Sequence, residues 1–354
     1  EENLVDTQVW IADATFDSTS KPVALALEGS ASEMEWSPNG RHLAIALAPT
    51  PLVDHYYMYR RWSIVDASTG KVVTKIKNPG KIGPLRWSPD GKQIAFCSGE
   101  DINDPSEGRL MIASAKTGEF TELMPEYLPN VVGIEWKDSQ SILFLADDGC
   151  YTSYGVVSTK DGKPRFMVEA SGPILTGLSV SDDKQTASFA ASLPTHPGEV
   201  YLAKGKQLER LTNSNPWLDS KRLAPQEVVR YKARDGEMIE GVLIRPLNEK
   251  KGKRYNFKLV VLTSETLNPE QRKRFEYLLG ERVISHYGLM ECPSIGFQFG
   301  GSGLFRIQSQ ACMMEVVNRR EENDNFIGDV VITNFINQTM PFIRYCTGDT
   351  SEII

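Results

Sequence analysis

Alternating apolar and polar positions dominate the first two thirds of the chain, and they recur as a repeat. Residues 36–46, Trp-Ser-Pro-Asn-Gly-Arg-His-Leu-Ala-Ile-Ala, return at 87–96 as Trp-Ser-Pro-Asp-Gly-Lys-Gln-Ile-Ala-Phe. More divergent copies begin at Trp136 and Val180, so the intervals are 51, 49 and 44 residues. In each of the two clear copies a proline fixes φ before residues that tolerate positive φ, which predicts a tight turn. The alternating segment after the turn predicts a half-buried strand.

Each repeat unit then adds further strand and hairpin signals. Residues 62–73 and 110–120 each read as a strand, a Thr-Gly turn and a second strand. This order of elements at this period is typical of a β-propeller blade, whereas no long 3.6-residue periodicity supports a helical solenoid. The tryptophan at a fixed place in each blade is expected to pack between blades rather than to bind a ligand.

The number of blades leaves two alternatives open. Four repeats follow one strand pair at residues 8–13 and 23–27. A propeller closes on itself to remove its edges, and four and a half blades leave edges exposed. Either this small ring closes or further blades lie upstream, and we expect the latter.

Composition narrows the class of protein. The chain has 354 residues with 40% hydrophobic and 24% charged residues, as in soluble globular proteins of two or three domains. No apolar run approaches the roughly 20 residues that span a bilayer. A net charge of −7 argues against a nucleic-acid partner, and the basic residues 250–254 are expected to form a solvated loop. The first residues lack a signal peptide, which fits a cytoplasmic or a processed periplasmic protein.

The cysteines and histidines do not form a recognisable pattern. Five cysteines are scattered, odd in number and without Cys-x-x-Cys spacing, and the four histidines are dispersed. We therefore expect neither a disulfide framework nor a zinc site.

A resemblance to a known family begins where the repeats end. Residues 207–218 read Gln-Leu-Glu-Arg-Leu-Thr-Asn-Ser-Asn-Pro-Trp-Leu, and residues 227–248 contain two alternating strands joined at Arg-Asp-Gly-Glu, a hairpin signal. Residues 1–255 resemble the prolyl oligopeptidase family of serine peptidases, in its dipeptidyl-peptidase and acylaminoacyl-peptidase branches. In that family such segments close the propeller and open an α/β-hydrolase domain.

The catalytic residues that this resemblance implies are not found in the chain. Asn256 stands where the family has proline, and no His-Gly-Gly oxyanion loop follows. The nearest match to a Gly-x-Ser-x-Gly elbow is 300–304, which ends in leucine, and no Asp and His follow in the required order. Without nucleophile, base and oxyanion donors we expect no peptidase activity and assign no catalytic residue.

From residue 257 the pattern becomes α/β. Residues 257–263 form a continuous apolar strand, Asn268 and Gln271 predict a capping box, and Gly280 ends the helix. Residues 282–286 predict the next strand. This is a βαβ unit, whose ligands are expected at the carboxyl end of the strand.

Three motifs after this unit, at 287–293, 328–334 and 340–349, resemble the adenylate-forming superfamily, closest to phenylacetate–CoA ligases. The resemblance implies ATP or AMP with magnesium as ligands. It implies these roles: Tyr287 and Gly288 lining the adenine and AMP pocket, Glu291 holding magnesium, Asp349 binding the ribose hydroxyls and Arg344 supplying positive charge. Met290 stands where the family has threonine, so a hydroxyl contact to phosphate is lost. The family's phosphate loop and C-terminal lysine domain have no counterpart here, so catalysis is not expected.

The sequence therefore predicts a mainly β protein: a partial propeller of about four to five blades followed by a smaller α/β fragment. The predicted parts are blades (1–214), a linker with the first strands of a truncated hydrolase domain (215–256), and an adenylate-forming fragment (257–354), with a crossover near Asn256. Three functions stay open: a propeller that binds peptides or proteins, a nucleotide-binding ligase-like enzyme that is active or vestigial, and a join that is an artefact of assembly or cloning. No nucleic-acid or membrane partner is expected.

Overall fold

A computed structural model describes residues 5–15, 21–233, 235–247, 259–263, 268–279, 283–289, 291–299, 304–322, 325–336 and 342–352. Strands hold 53% of them and helices 7%, so the fold class is mainly β, as predicted. The chain divides into two compact units, Glu1–Asn248 and Glu249–Ile354. The basic residues 250–254, the crossover at Asn256, and Met290 lie outside the described residues. No helix in the described ranges is long and apolar enough to cross a membrane.

The first unit contains four consecutive antiparallel sheets of four strands, each with its strands in chain order across the sheet. The first blade comprises β3 (Ser30–Trp36), β4 (His42–Ala48), β5 (Arg61–Asp66) and β6 (Val72–Lys75). The second comprises β7 (Ile82–Trp87), β8 (Gln93–Ser98), β9 (Arg109–Ser114) and β10 (Phe120–Glu122). The third comprises β11 (Asn130–Asp138), β12 (Ser141–Asp148), β13 (Tyr151–Ser158) and β14 (Pro164–Val168). The fourth comprises β15 (Ile174–Val180), β16 (Thr186–Leu193), β17 (His196–Lys204) and β18 (Gln207–Arg210).

Shorter elements flank these blades. A two-stranded sheet of β1 (Trp10–Ile11) and β2 (Val23–Ala24) precedes them, which confirms the predicted strand pair. A helix that the sequence pattern did not predict, α1 (Val53–Met58), connects β4 to β5. After the fourth blade come a 3₁₀ turn (Pro216–Ser220) and the antiparallel hairpin of β19 (Gln226–Lys232) and β20 (Met238–Ile244), as the Arg-Asp-Gly-Glu signal predicted.

The repeated turns are built from a serine hydroxyl. In the first copy Ser37 Oγ donates to Asn39 Oδ1 at 2.9 Å and accepts the main-chain N–H of His42 at 2.9 Å. Ser88 and Ser181 make the equivalent pair of bonds in the second and fourth copies. This relay holds the turn closed, which explains why the Ser-Pro-x-Gly signal located it correctly.

The turn also requires a positive φ three residues after the serine. Gly40 and Gly91 supply it at 66° and 68°, where glycine has no Cβ to clash. In the degraded fourth copy Lys184 occupies the same place with a φ of 57°. The fourth turn therefore keeps its shape although the glycine signal is lost.

The core lies between consecutive blades as three apolar clusters. Trp87 and Trp136, at 6% and 1% exposure, are buried in the first two of them, as expected for the repeat tryptophans. The expectation is wrong for Trp36, which is 49% exposed. No blade in the described part of the chain packs in front of its indole, so its inter-blade position stays open to solvent.

The second unit begins with the predicted βαβ unit. It consists of β21 (Val260–Thr263), α2 (Pro269–Leu279) and β22 (Val283–Tyr287), and the two strands pair in parallel. The capping box is present: the side chain of Asn268 accepts the N–H of Gln271 at 2.9 Å, and the side chain of Gln271 accepts the N–H of Asn268 at 3.1 Å. The α/β prediction is thus confirmed for this segment.

Antiparallel strands complete the second unit. β23 (Gly296–Phe299) and β24 (Phe305–Ile307) extend the sheet from β22. A separate three-stranded sheet contains β25 (Cys312–Glu322), β26 (Asn325–Asn334) and β27 (Tyr345–Glu352). One apolar cluster joins the two sheets, with Cys292, Ile295, Cys312, Val330 and Ile332 at its centre and Tyr287 and Tyr345 at its margin.

Candidate functional sites

The second unit brings together two of the residues assigned to nucleotide binding. Tyr287 ends β22 and Asp349 lies in β27, 62 positions later. The Tyr287 hydroxyl donates to Asp349 Oδ2 at 2.5 Å. Burial, followed by this hydrogen bond, raises the pKa of the Tyr287 hydroxyl. The phenol therefore stays protonated and acts as a donor to the carboxylate.

Gly288, the next assigned residue, is explained by close packing of the chain. A Cβ at this position would lie 2.3 Å from the carbonyl oxygen of Pro293 and 2.9 Å from the ring of His286. Only glycine fits where the main chain turns back so closely. This turn carries the chain from Tyr287 to Glu291, so it positions both side chains.

Glu291, the proposed magnesium ligand, faces a second tyrosine. The hydroxyl of Tyr345, the first residue of β27, donates to Glu291 Oε1 at 2.9 Å, and the side chain of Asn334 donates to the Glu291 main-chain oxygen. Among the described residues no group of three or more His, Cys, Asp or Glu side chains could hold a metal ion. Magnesium is commonly bound by one or two carboxylates together with substrate phosphates. Glu291 would therefore bind magnesium only when a nucleotide is also bound.

Arg344 does not join these residues. Its guanidinium forms an ion pair with Glu315 at 2.5 Å, and its main-chain N–H donates to Thr333 Oγ1 at 3.0 Å. Its φ of 52° is unusual for a residue with a side chain. The positive charge of Arg344, which the resemblance assigns to the triphosphate, is thus already paired with the Glu315 carboxylate of β25.

The first unit contains a cavity that the sequence pattern did not indicate. It has a volume of about 510 Å³ and lies between loops of the third and fourth blades and the β19–β20 hairpin. Its walls are mainly apolar, with a few polar groups. Its lining includes Cys150, Leu193, His196, Gln226, Val228 and Val242.

A carboxylate attaches the hairpin, which forms one wall of this cavity, to the third blade. Glu240 in β20 accepts the main-chain N–H of Cys150 at 3.1 Å and the Arg230 guanidinium at 2.6 Å. These two bonds, in that order, lower the pKa of the Glu240 carboxyl. Gly149 has a φ of 61°, and a Cβ there would lie 2.2 Å from a Glu240 carboxylate oxygen. The glycine therefore lets the hairpin approach the β12–β13 turn.

The cavity histidine is held by both ring nitrogens. His196 Nδ1 lies 2.8 Å from the carbonyl oxygen of Pro197, and Nε2 lies 2.9 Å from the Tyr201 hydroxyl. Because a carbonyl only accepts, Nδ1 carries the hydrogen, and in the neutral ring Nε2 accepts from the tyrosine. Both ring nitrogens of His196 therefore have a hydrogen-bond partner within the chain.

The residues that matched the start of a peptidase elbow can be placed only in part. Of 300–304, only Leu304 lies within the described residues. The serine of that segment is outside them, so the expectation that it is no nucleophile stays a prediction.

Comparison with known proteins gives no family assignment. No protein-family model matches the chain, and no curated protein matches it either.

Three solved structures illustrate the proteins to which the chain is similar in part. TolB from Acinetobacter baumannii is 16% identical with a TM-score of 0.43, covering 58% of this chain and 48% of its own. A dipeptidyl aminopeptidase IV candidate from Bacteroides ovatus is 16% identical with a TM-score of 0.47, covering 73% and 44%. A puromycin hydrolase is 18% identical with a TM-score of 0.46, covering 65% and 36%. The chain thus spans less than half the length of each of these proteins.

Proposed function

We propose that the first unit is a non-catalytic module that binds peptide segments in the cavity between its third and fourth blades and the β19–β20 hairpin. The observation that carries the proposal is the cavity itself. Its volume of about 510 Å³ falls within the range of small-ligand sites, which are mostly apolar with a few polar groups. The prolyl-oligopeptidase resemblance of residues 1–255 gives independent support for a peptide as the ligand.

The lining supplies the two kinds of contact that a peptide needs. Leu193, Val228 and Val242 offer an apolar wall for one or two aliphatic side chains. Ser192 and Gln226 line the same cavity and supply a hydroxyl and an amide for main-chain groups. Blocked dipeptides with aliphatic side chains are therefore the ligand class that we expect to bind.

Binding without hydrolysis follows from the state of the cavity histidine. Both nitrogens of His196 are hydrogen-bonded to Pro197 and Tyr201, and neither bonds to Ser192, the serine that lines the same cavity, so we expect no activated serine nucleophile here. A fluorogenic dipeptide or acyl-peptide substrate is expected to give no turnover. Turnover that a serine-directed inhibitor blocks would contradict this part of the proposal.

Calorimetry with N-acetyl-leucyl-leucinamide tests the site. We expect saturable binding by the native chain and none by Val228→Trp, because the indole would fill the cavity. Val229→Trp is the matched control, since Val229 is the next residue of the same strand and does not line the cavity. Equal binding by both variants, or no binding by the native chain, would refute the assignment.

A second candidate function is nucleotide binding by the second unit, favoured by the contact between Tyr287 and Asp349. Residues far apart in sequence that the adenylate-forming resemblance places around adenine and ribose lie within hydrogen-bond distance. The Glu291–Tyr345 contact lies at the other end of the same turn. Each carboxylate has a neutral partner, which a ribose or a magnesium ion would have to share or displace.

Calorimetry with AMP and with magnesium–ATP tests this candidate. We expect Asp349→Asn to weaken AMP binding about tenfold, because a ribose hydroxyl then loses a charged acceptor. Asp329→Asn is the control, since Asp329 on the neighbouring strand is held by Arg320 at 2.7 Å and Asn318 at 2.9 Å. No heat at millimolar nucleotide would refute the candidate, and discontinuous DNA across codons 250–260 would show that the join is an artefact.

A further inference from the structure

Two buried cysteines lie on neighbouring segments of the second unit. Cys292 directly follows Glu291 on the turn after β22, and Cys312 is the first residue of β25. They are 0% and 1% exposed and belong to the same apolar cluster. Both are free thiols in this structure. Neither peptide binding nor nucleotide binding uses this pair.

An independent contact holds these two segments side by side. Asn334 lies directly opposite Cys312 in the pairing of β26 with β25. Residues directly opposite each other in an antiparallel pair have their side chains on the same face of the sheet. The Asn334 amide donates to the main-chain oxygen of Glu291, the residue before Cys292. The side chain beside Asn334, that of Cys312, is thus held against the turn that carries Cys292.

The two thiols lie close to neighbouring main-chain oxygens and to each other. Cys292 Sγ is 4.0 Å from the oxygen of Ser294, and Cys312 Sγ is 3.9 Å from that of Ile295. Burial, followed by the adjacent Cys292 thiol, raises the pKa of the Cys312 thiol to about 11. Thiols in contact need little movement of the main chain to reach the geometry of a disulfide.

We propose that Cys292 and Cys312 form a reversible disulfide by exchange with a small-molecule disulfide such as oxidised glutathione. In the first step one cysteine thiolate attacks a sulfur of oxidised glutathione, whose S–S bond breaks and releases one glutathione thiolate. In the second step the other cysteine thiolate attacks the protein sulfur of the mixed disulfide, and the second glutathione leaves. The two cysteines together lose two electrons and two protons, and oxidised glutathione is reduced to two molecules of glutathione. Excess glutathione reverses both steps.

The disulfide adds a covalent link between the turn after β22 and the start of β25. In the reduced chain these segments are held by packing and by the hydrogen bond from Asn334. A covalent link suppresses local opening of the segments that it joins, and local opening is what exposes amides to exchange. We therefore expect slower amide hydrogen exchange over residues 307–319 in the oxidised chain than in the reduced chain, with unchanged exchange over the blades.

Peptide mapping of the native chain tests the pair. The chain is brought to equilibrium in a glutathione redox buffer over hours, because buried thiols exchange slowly. It is then quenched with N-ethylmaleimide and digested with trypsin without reduction. Trypsin separates the two cysteines onto the peptides 283–306 and 307–319. We expect the cross-link between these peptides to exceed every other cysteine cross-link at least about tenfold, because the fold holds the two thiols at a high effective concentration.

Oxidation of the unfolded chain is the first control. In concentrated urea the contact is lost and only the length of the closed loop distinguishes the pairs. Cys292 and Cys312 are 20 positions apart, whereas Cys312 and Cys346 are 34 apart. The excess of the first cross-link over the second should then fall to about twofold.

Serine variants are the second control. Cys312→Ser should abolish the cross-link and leave Cys292 as a free thiol or a mixed disulfide with glutathione. Cys97→Ser is the matched control, because Cys97 is also 0% exposed but has no second cysteine in its apolar cluster, and the cross-link should persist unchanged. The mapping of the native chain needs no variant, so it decides the question even if Cys312→Ser fails to fold.

Four results would overturn the proposal. The first is absence of the cross-link between 283–306 and 307–319 in the native chain at equilibrium. The second is an excess of this cross-link that is no greater in the native chain than in urea. The third is loss of the cross-link in Cys97→Ser. The fourth is equal amide exchange over 307–319 in the oxidised and reduced chains.

Discussion

Substitution of Trp136 by phenylalanine tests how the blades are held together. Trp136 is 1% exposed, packs in the cluster between the second and third blades, and donates to the Arg86 main-chain oxygen. Loss of the donor leaves a carbonyl without its partner, which destabilises by about 1–3 kcal/mol. The smaller ring also forfeits part of the apolar contact, roughly a further 1 kcal/mol. We therefore expect the free energy of unfolding to fall by about 2–4 kcal/mol.

The matched variant is Trp36→Phe, which makes the same substitution at the same position of the repeat. Because Trp36 is half exposed and donates no hydrogen bond among the described residues, its loss should change stability by less than about 0.5 kcal/mol. Urea unfolding followed by far-ultraviolet circular dichroism compares the two without relying on tryptophan fluorescence. Equal midpoints for the two variants would refute the proposed inter-blade role of the indole.

Two further predictions concern the last blade and the hairpin turns. Hydrogen bonds from Thr212 and Ser214, together with the Arg210 charge, lower the pKa of Glu199 from 4.5 to about 2. The stabilisation that the ionised carboxylate contributes is therefore complete above pH 4.5 and disappears as the pH falls toward 2. The urea midpoint of Glu199→Gln should be lower than that of the native protein at about pH 6, and the two midpoints should converge near pH 2. Gly118→Ala should lower the melting temperature more than Gly70→Ala. Both glycines have positive φ, but only at Gly118 would the new Cβ lie 2.5 Å from a main-chain oxygen of the preceding blade, namely that of Lys75. Equal melting temperatures of the two variants would contradict this reasoning.

Local chemistry made the blades predictable. The Ser-Pro-x-Gly turns and the alternation after them depend on neighbouring residues, so the strands that begin at His42 and Gln93 could be located from sequence alone. The βαβ unit was equally local, because a capping box at Asn268 and an apolar strand before it define its connection. Helix α1 was missed because a single turn and a half carries too little periodicity to recognise.

Contacts between residues far apart in the chain were harder to predict from the sequence. Arg86 forms ion pairs with Glu35 and Glu135, which lie about 50 positions away on either side in the sequence. The alternating charge of the residue directly before each repeat tryptophan was the one sequence signal for these ion pairs. The exposure of Trp36 could not be read from a repeat, because a repeat describes what its copies share and not which copy stands at an open face. The ligase-like resemblance assigned Tyr287, Asp349 and Arg344 to one nucleotide site without predicting any contact between them. Tyr287 contacts Asp349, whereas Arg344 pairs with Glu315.

The cavity was missed for a different reason. Its wall comes from the Cys150 turn, the His196 segment and the β19–β20 hairpin, which are separated by loops and strands in the sequence. Apolar residues such as Val228 and Val242 read only as members of strands. The one local signal was the glycine at 149, whose positive φ permits the Glu240 contact, and nothing in the sequence connects that glycine with the hairpin.

We propose that the blade unit binds aliphatic peptides in this cavity without cleaving them, and this binding can be measured directly. Methyl-selective nuclear magnetic resonance of leucine- and valine-labelled protein, titrated with N-acetyl-leucyl-leucinamide, tests it most directly. We predict that the methyl signals of Leu193, Val228 and Val242 shift together and saturably, while the peptide stays intact in the same tube. Saturable shifts confined to other methyl groups, or cleavage of the peptide, would contradict peptide binding without cleavage in this cavity.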